Sequence, residues 1–79
     1  MVSAYILILT QVGQAARVAQ QIGDISGVDA AEDVTGPYDV IVRAKAPTMD
    51  DLGQMVVAKI QAINGIDRTL TCPVVNIDE

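Results

Sequence analysis

The sequence predicts an α+β fold whose secondary-structure elements follow the order βαββαβ. Three patterns indicate this order: runs of β-branched and apolar residues, two stretches with apolar residues at helical spacing, and glycine or proline residues between them. Two right-handed βαβ crossovers that share one antiparallel sheet place the first and third strands at its centre. We therefore expect a ferredoxin-like, four-stranded antiparallel sheet with two helices on one face.

The first half of the chain supplies a strand, a helix and a second strand. Val2–Thr10 is rich in β-branched and apolar residues, which is typical of a strand. Val28–Thr35 is also extended, but its acidic middle favours a position at the edge of the sheet. Between them, a helix that ends at Gly23 or Gly27 is indicated by apolar residues at helical spacing: Ala15, Val18, Ala19 and Ile22.

The second half begins with a strand over Tyr38–Ala46, which Pro47 ends. Thr48 is a favourable N-cap for the helix that follows, and Asp50 and Asp51 place negative charge in its first turn. The apolar stripe of this helix consists of Leu52, Val56, Ile60 and Ile63.

A last strand is predicted over Ile66–Cys72, continuing past Pro73 to Ile77. Asp78 and Glu79 would follow it as a solvated tail. Cys72 is expected to be a small buried hydrophobe. The methionines Met49 and Met55 are expected to fill gaps in the core.

The length and charge of the chain limit what it can be. Its 79 residues are enough for one domain, which we take to be residues 1–79. Five basic residues against ten acidic ones give a net charge of −5, which argues against direct DNA binding. The start of the chain lacks the basic segment of a signal peptide, and the apolar run Ala4–Leu9 is too short to span a bilayer. A single cysteine also fits a cytoplasmic protein without membrane contact.

The first strand is apolar on both faces, although helices are expected to cover only one of them. Tyr5, Leu7 and Leu9 would lie on one face of this strand. Leu70 would lie on one face of the last strand. Because burial of a leucine or isoleucine side chain contributes roughly 1.5–3 kcal/mol, several such side chains in water would mark an interface. We expect a second copy of the chain to cover the uncovered face, in a twofold dimer.

Most catalytic chemistry is excluded by residue type. The chain has no histidine, and its serines are Ser3 and Ser26, so a Ser-His-Asp or Cys-His arrangement cannot form. One cysteine cannot build a zinc site, and no phosphate- or dinucleotide-binding glycine motif is present. We expect no cofactor, and we expect Arg43 and Lys45 to be solvated or salt-bridged.

The segment Gly36-Pro37-Tyr38-Asp39 is the strongest candidate for a ligand contact. Asp39 could pair with an ammonium group, and a ligand could approach the backbone at Gly36 closely because glycine has no side chain. The alternative is a hairpin turn in which Asp39 bonds nearby backbone and Tyr38 packs on the sheet. Thr69 and Thr71 share a face of the last strand and are either further ligand contacts or simply good strand formers.

Two stretches resemble the effector-binding domain of the Lrp/AsnC family, also called the regulation of amino acid metabolism domain. They are the Val-Thr-Gly-Pro-Tyr-Asp-Val-Ile-Val-Arg-Ala segment from Val34 and the Ile-Asn-Gly-Ile-Asp-Arg-Thr-Leu-Thr segment from Ile63. The resemblance implies a βαββαβ fold, dimers joined through their sheets, and rings of dimers as octamers or decamers. It also implies an amino-acid effector bound between subunits.

Carried over by motif, the ligand-binding residues would be Gly36, Tyr38, Asp39, Thr69 and Thr71. The neighbouring Pro37 occupies a position where many relatives have other residues, so it would change the shape of the pocket.

The chain begins at the first strand of this domain, which implies a stand-alone form without the family's helix-turn-helix DNA-binding domain. Such a form could co-assemble with full-length Lrp/AsnC regulators or sense an amino acid by itself. The alternatives are a dimeric α+β-barrel enzyme such as a small monooxygenase or isomerase, a purely structural assembly domain, and an ACT-type regulatory domain. The glycine-to-aspartate turn favours the Lrp/AsnC interpretation over the ACT type.

Overall fold

The chain forms four strands and two helical regions in the predicted order, as seen in a computed structural model that describes residues 1–75 apart from the side chain of residue 55. The strands are β1 (Val2–Thr10), β2 (Val28–Asp33), β3 (Val40–Ala46) and β4 (Ile66–Pro73). The first helix is α1 (Ala15–Gly23). The second helical region comprises α2 (Met49–Asp51), a π-helical segment (Leu52–Val57) and α3 (Ala58–Gln61).

The sheet is antiparallel with strand order β2-β3-β1-β4, which confirms the central position of the first and third strands. Within it, Leu7 pairs with Ile41 on one side and with Leu70 on the other. The order also confirms β2 as an edge strand. The predicted ferredoxin-like fold is therefore correct.

Alternation along the central strands builds the core between the sheet and the helices. Successive strand residues point to opposite faces, so every second side chain of β1 and β3 is turned toward the helices. These side chains are buried, as is one stripe of each helical region. The largest fully buried members are Ile6, Ile8, Val40, Val42, Val18, Ile22, Leu52, Val56 and Ile60.

The second helical region begins as predicted, but contains a π-helical segment that the periodicity did not predict. The Thr48 hydroxyl accepts a hydrogen bond from the Asp51 N–H at 3.1 Å, which confirms the N-cap. The backbone remains helical across both junctions of the segment Leu52–Val57. A π turn, with bonds from i to i+5, holds more residues than an α turn, so side chains four apart stay close to one face. Leu52 and Val56 therefore both reach the core.

Three strand boundaries differ from the predicted ones. The second strand ends at Asp33 rather than Thr35, and the third begins at Val40 rather than Tyr38. Pro37, between them, has no N–H to give to the ladder. Pro73 likewise ends β4, and the predicted continuation to Ile77 is wrong for Val74 and Val75. The remainder of that continuation and the predicted tail lie at residues 76–79, outside the described residues.

Two expected core residues are exposed. Cys72 pairs with Tyr5, whose side chain points away from the helices, and the Cys72 side chain lies on the same outer face. Met49 is 48% exposed in the first turn of the second helical region. Both expectations of burial were wrong, because alternation and helix position decide which apolar residues reach the core. The expectation for Met55 concerns a side chain that lies outside the described part of the structure.

The sheet surface opposite the helices is the open face. It carries Tyr5, Leu7 and Leu9 from β1, together with their cross-strand neighbours. These neighbours are Ile41, Arg43, Arg68, Leu70 and Cys72. Three of the apolar side chains on this face, Tyr5, Ile41 and Leu70, are 40%, 37% and 47% exposed. The expected apolar second face is thus present.

Two cations, Arg43 and Arg68, lie on the open face, and Arg43 is held there by Tyr5. Arg43 Nη1 donates a hydrogen bond of 2.7 Å to the Tyr5 hydroxyl oxygen, and the Arg43 guanidinium carbon lies 5.4 Å from the centre of the Tyr5 ring. The ring and hydroxyl hold the charged group against the sheet. At the edge of the sheet, Lys45 forms an ion pair with Asp29 at 3.3 Å. Neither Arg43 nor Lys45 is free, in agreement with the sequence-based expectation.

Within residues 1–75, the helices are too short or too polar to cross a lipid bilayer.

Two glycine substitutions should change stability in opposite directions. Gly53→Ala places a methyl group in open space within a helix, and should raise the free energy of unfolding by about 0.5–1 kcal/mol. Gly27→Ala should lower it by more than about 1 kcal/mol, because Gly27 has a φ of +97° and its added Cβ would lie 3.0 Å from the Lys45 carbonyl oxygen. Urea denaturation followed by circular dichroism measures both values. Equal effects of the two substitutions would contradict this account.

Candidate functional site

A surface cleft of about 430 Å³ lies at the end of the sheet where β1 finishes and β3 begins. The loop between β1 and α1 forms one wall, and the first turn of α1 forms another. Asp39, which directly precedes β3, lies across from them. The lining residues are Thr10, Gln11, Val12, Gly13, Ala15, Ala16 and Asp39.

The Asp39 carboxylate is fixed by β1. Its Oδ2 accepts a hydrogen bond of 2.9 Å from the Thr10 N–H and a longer one of 3.4 Å from the Thr10 hydroxyl. The Asp39 backbone is held as well, since its N–H donates to the Ile8 carbonyl at 2.9 Å and its carbonyl accepts from the Val34 N–H at 2.9 Å. Among residues 1–75, both hydrogen bonds to the Asp39 carboxylate are accepted by Oδ2. No hydrogen bond from residues 1–75 to Oδ1 is found.

The β1–α1 loop is anchored to the far end of the second helical region. The Gln11 N–H donates to the Gly65 carbonyl at 2.8 Å. Arg17 on α1 donates through Nη2 to the Asn64 carbonyl at 2.8 Å and through Nε to the Gln14 side chain at 2.8 Å. The guanidinium thus joins the start of α1 to the chain just before β4. These bonds hold the wall of the cleft in place without a ligand.

The cleft combines one anionic group with apolar surface. Asp39 and the Thr10 hydroxyl supply its polar side, whereas Val12, Ala15 and Ala16 supply aliphatic groups. Val12 is fully exposed although its loop is well anchored. The first backbone N–H groups of α1 have no carbonyl partner within the helix, and no side chain caps them. Such a site suits a small zwitterion with an aliphatic portion.

Only the last of the four predicted turn residues is among those that line this cleft. Asp39 lines it, Tyr38 is half-buried, and Gly36 and Pro37 are exposed in the turn that leads to Asp39. Asp39 bonds a backbone group, as in the hairpin-turn alternative, but this group is the Thr10 N–H on the neighbouring strand, 29 positions away in the sequence.

The predicted threonines lie elsewhere on the sheet. Thr69 and Thr71 pair with Ile8 and Ile6 and face the helices, and the Thr69 hydroxyl accepts a hydrogen bond from Gln61 Nε2 at 3.2 Å. With β1 between them, β4 and β3 are separated by roughly 10 Å. One subunit therefore does not bring the threonines to the Asp39 cleft. The complete ligand-binding site remains a prediction; its six residues are Gly36, Pro37, Tyr38, Asp39, Thr69 and Thr71.

The contribution of the β1–α1 loop was missed from the sequence. No pattern singled out the segment Gln11-Val12-Gly13-Gln14, which lies between the predicted first strand and first helix. A valine between polar residues in a loop was the available signal, since an apolar side chain at such a position is exposed unless a ligand or partner covers it.

A second, smaller cleft of about 170 Å³ lies near the opposite end of β1, beside Val2 and Ser3. Its side chains are apolar apart from Ser3, so it offers little that could orient a ligand. Within the described part of the chain, no group of three potential metal-ligating side chains is found.

Comparison with known proteins identifies the family of the chain and agrees with its fold. The sequence profile described as "Lrp/AsnC ligand binding domain" matches residues 3–77, nearly the whole chain. The chain belongs to the Lrp/AsnC family, and the matching part is its ligand-binding domain. This family consists of transcriptional regulators, so the domain is regulatory and not an enzyme. The alternative of an α+β-barrel monooxygenase or isomerase was therefore wrong.

Individual relatives agree with this assignment. An HTH-type transcriptional regulator of Pyrococcus furiosus is 33% identical over 54 residues, which are 68% of this chain and 36% of the regulator. The chain thus spans about a third of the length of this curated relative. The crystal structure of FFRP-DM1 is 33% identical with a TM-score of 0.87, covering 95% of this chain and all of that one. Escherichia coli AsnC shares the fold at 24% identity and a TM-score of 0.85, over 95% of this chain and 51% of AsnC.

Asp39 should contribute to stability as well as to the cleft. Asp39→Ala removes the acceptor of the Thr10 N–H and should lower the free energy of unfolding by about 1–3 kcal/mol. Asp39→Asn retains a side-chain oxygen at the same place and should cost less. Denaturant titration of both variants beside the wild type measures the difference. An alanine variant as stable as the asparagine variant would show that this hydrogen bond contributes nothing.

Proposed function

We propose that this domain binds an amino-acid effector in the Asp39 cleft and transmits its presence through the assembly of the domain with other subunits. The observation that carries the proposal is the carboxylate of Asp39, held in place by Thr10 with one oxygen left over, in a cleft that also has aliphatic walls. Family membership supports it, because the matching domain is described as ligand binding.

The parts of an amino acid match the parts of the cleft. Its ammonium group would face Oδ1 of Asp39, in a charge-assisted hydrogen bond. Its carboxylate would face the backbone N–H groups at the start of α1. An aliphatic portion would pack on Val12 and Ala16. The turn Gly36-Pro37-Tyr38 would approach the ligand from one side, and Thr69 and Thr71 would have to come from another subunit.

A second copy of this chain is proposed to cover the open face. Tyr5, Ile41 and Leu70 together leave a substantial apolar surface in water, and removal of apolar surface from water contributes about 25 cal/mol per Å². A twofold axis that lies between two sheets, parallel to their planes, would place the open faces of two copies against each other. Further association into rings of eight or ten subunits would bring the clefts of neighbouring dimers together.

The biological role follows from these two properties. We propose that the domain acts in the cytoplasm, either as an amino-acid sensor in its own right or in mixed assemblies with full-length Lrp/AsnC regulators. Contact with DNA would then belong to those regulators, because the net charge of −5 disfavours direct binding by this chain.

Ligand binding should appear as thermal stabilisation. A ligand present at about 100 times its Kd adds about 2.7 kcal/mol to the stability of the native state. We expect at least one of the twenty amino acids at millimolar concentration to raise Tm by several degrees. Differential scanning fluorimetry with an external dye measures the shift. If none of the twenty shifts Tm, the domain functions only in assembly, which is the structural alternative.

A charge on the open face should disrupt the dimer. Leu70→Glu places a carboxylate on the open face, next to Leu7, whereas Gln20→Glu adds the same charge on an exposed position of α1. Size-exclusion chromatography with light scattering should give a dimer or larger assembly for the wild type and Gln20→Glu, and smaller species for Leu70→Glu. A wild type that is monomeric at micromolar concentration would contradict the proposal.

A further inference from the structure

We infer that the Asp39 cleft selects its amino acid by charge and discriminates against those with acidic side chains. The inference rests on the proposed function and adds the class of ligand to it: amino acids with an uncharged or cationic side chain. Two observations carry it. The charged side chain that lines the cleft is negative, and the basic residues of the chain are not among the lining residues.

The charge within the cleft is negative. Asp39 is the only titratable side chain among the seven residues that line it. The remaining polar groups are uncharged: the Thr10 hydroxyl and the Gln11 backbone take part in hydrogen bonds, and the Gln11 side chain is a neutral amide. An ammonium group can pair with Asp39, but a side-chain carboxylate of the ligand finds no cation among the described lining residues.

None of the basic residues of the chain is among the side chains that line its own cleft. Arg17 is engaged by Gln14, Gln21 and the Asn64 carbonyl. Arg43 lies on the Tyr5 ring, and Lys45 is paired with Asp29. The other two are Lys59 in the second helical region and Arg68 at the start of β4, neither of which lines the cleft.

The size of the expected discrimination follows from Coulomb's law. Two like charges about 5 Å apart repel by roughly 1 kcal/mol in bulk water and by more near a protein surface, which corresponds to about a fivefold to more than tenfold loss of affinity. The net charge of −5 acts in the same direction. An acidic amino acid should therefore bind about tenfold or more weakly than its amide.

The test compares ligands that differ in charge but hardly in shape. Isothermal titration calorimetry of the whole chain gives Kd for asparagine against aspartate and for glutamine against glutamate, within a survey of all twenty amino acids. We expect each amide to bind at least about tenfold more tightly than its acid at low salt, with the ratio falling as sodium chloride is raised. Both acids should be among the weakest of the twenty ligands.

A pair of variants locates the source of the discrimination. Asp39→Asn should bring the amide-to-acid ratio below about threefold and weaken the preferred ligand. Asp24→Asn removes the same charge from an exposed position at the other end of α1 and should leave the ratio unchanged. The wild-type amide-to-acid ratios test the inference independently, in case Asp39→Asn fails to fold.

The outcomes separate this inference from the proposed function. If aspartate or glutamate binds as tightly as the best ligands, the inference is wrong and the domain is still an amino-acid sensor. Equal effects of Asp39→Asn and Asp24→Asn would also overturn it, because overall charge rather than the cleft would then select the ligand. If none of the twenty amino acids binds, the proposed function fails and the inference fails with it.

Discussion

The structure depends on one constraint: β1 lies at the centre of a sheet that has helices on one side only. Its inward side chains, among them Ile6 and Ile8, are fully buried against those helices. Its outward side chains, Tyr5, Leu7 and Leu9, are equally apolar. A strand of this composition stabilises the fold through one face and leaves apolar side chains uncovered on the other face. The chain is small, so the apolar surface it leaves exposed is a large share of what it could bury.

The same strand also prepares the ligand site. β1 ends at Thr10, whose N–H holds Asp39, and its next residue, Gln11, is bonded to the Gly65 carbonyl. The loop beyond it forms the wall of the cleft. The core, the open face and the cleft are thus three consequences of where one strand is placed. This arrangement would allow a domain of 79 residues to combine its fold with the proposed interface and the proposed binding site.

The sequence predicted the fold in detail because alternation and helical spacing depend on neighbouring residues. Val2–Thr10, the Thr48 cap and the central position of β1 and β3 were all predicted. It failed where the outcome depends on contacts between distant segments. The Asp39 side chain reaches Thr10 across the sheet, and no local pattern indicates that partner. The π-helical segment is intermediate: the spacing of four between Leu52 and Val56 was a signal, but an ordinary helix tolerates the same spacing.

The scarcity of aromatic residues has a spectroscopic consequence. The chain has two tyrosines and neither tryptophan nor phenylalanine. Tyr5 lies on the open face beside the Arg43 guanidinium, and Tyr38 lies next to Asp39 in the turn beside the cleft. The intrinsic ultraviolet fluorescence of the domain therefore comes from two fluorophores in two distinct environments. If each tyrosine is replaced in turn, the fluorescence of the remaining one reports on its own environment without an added label.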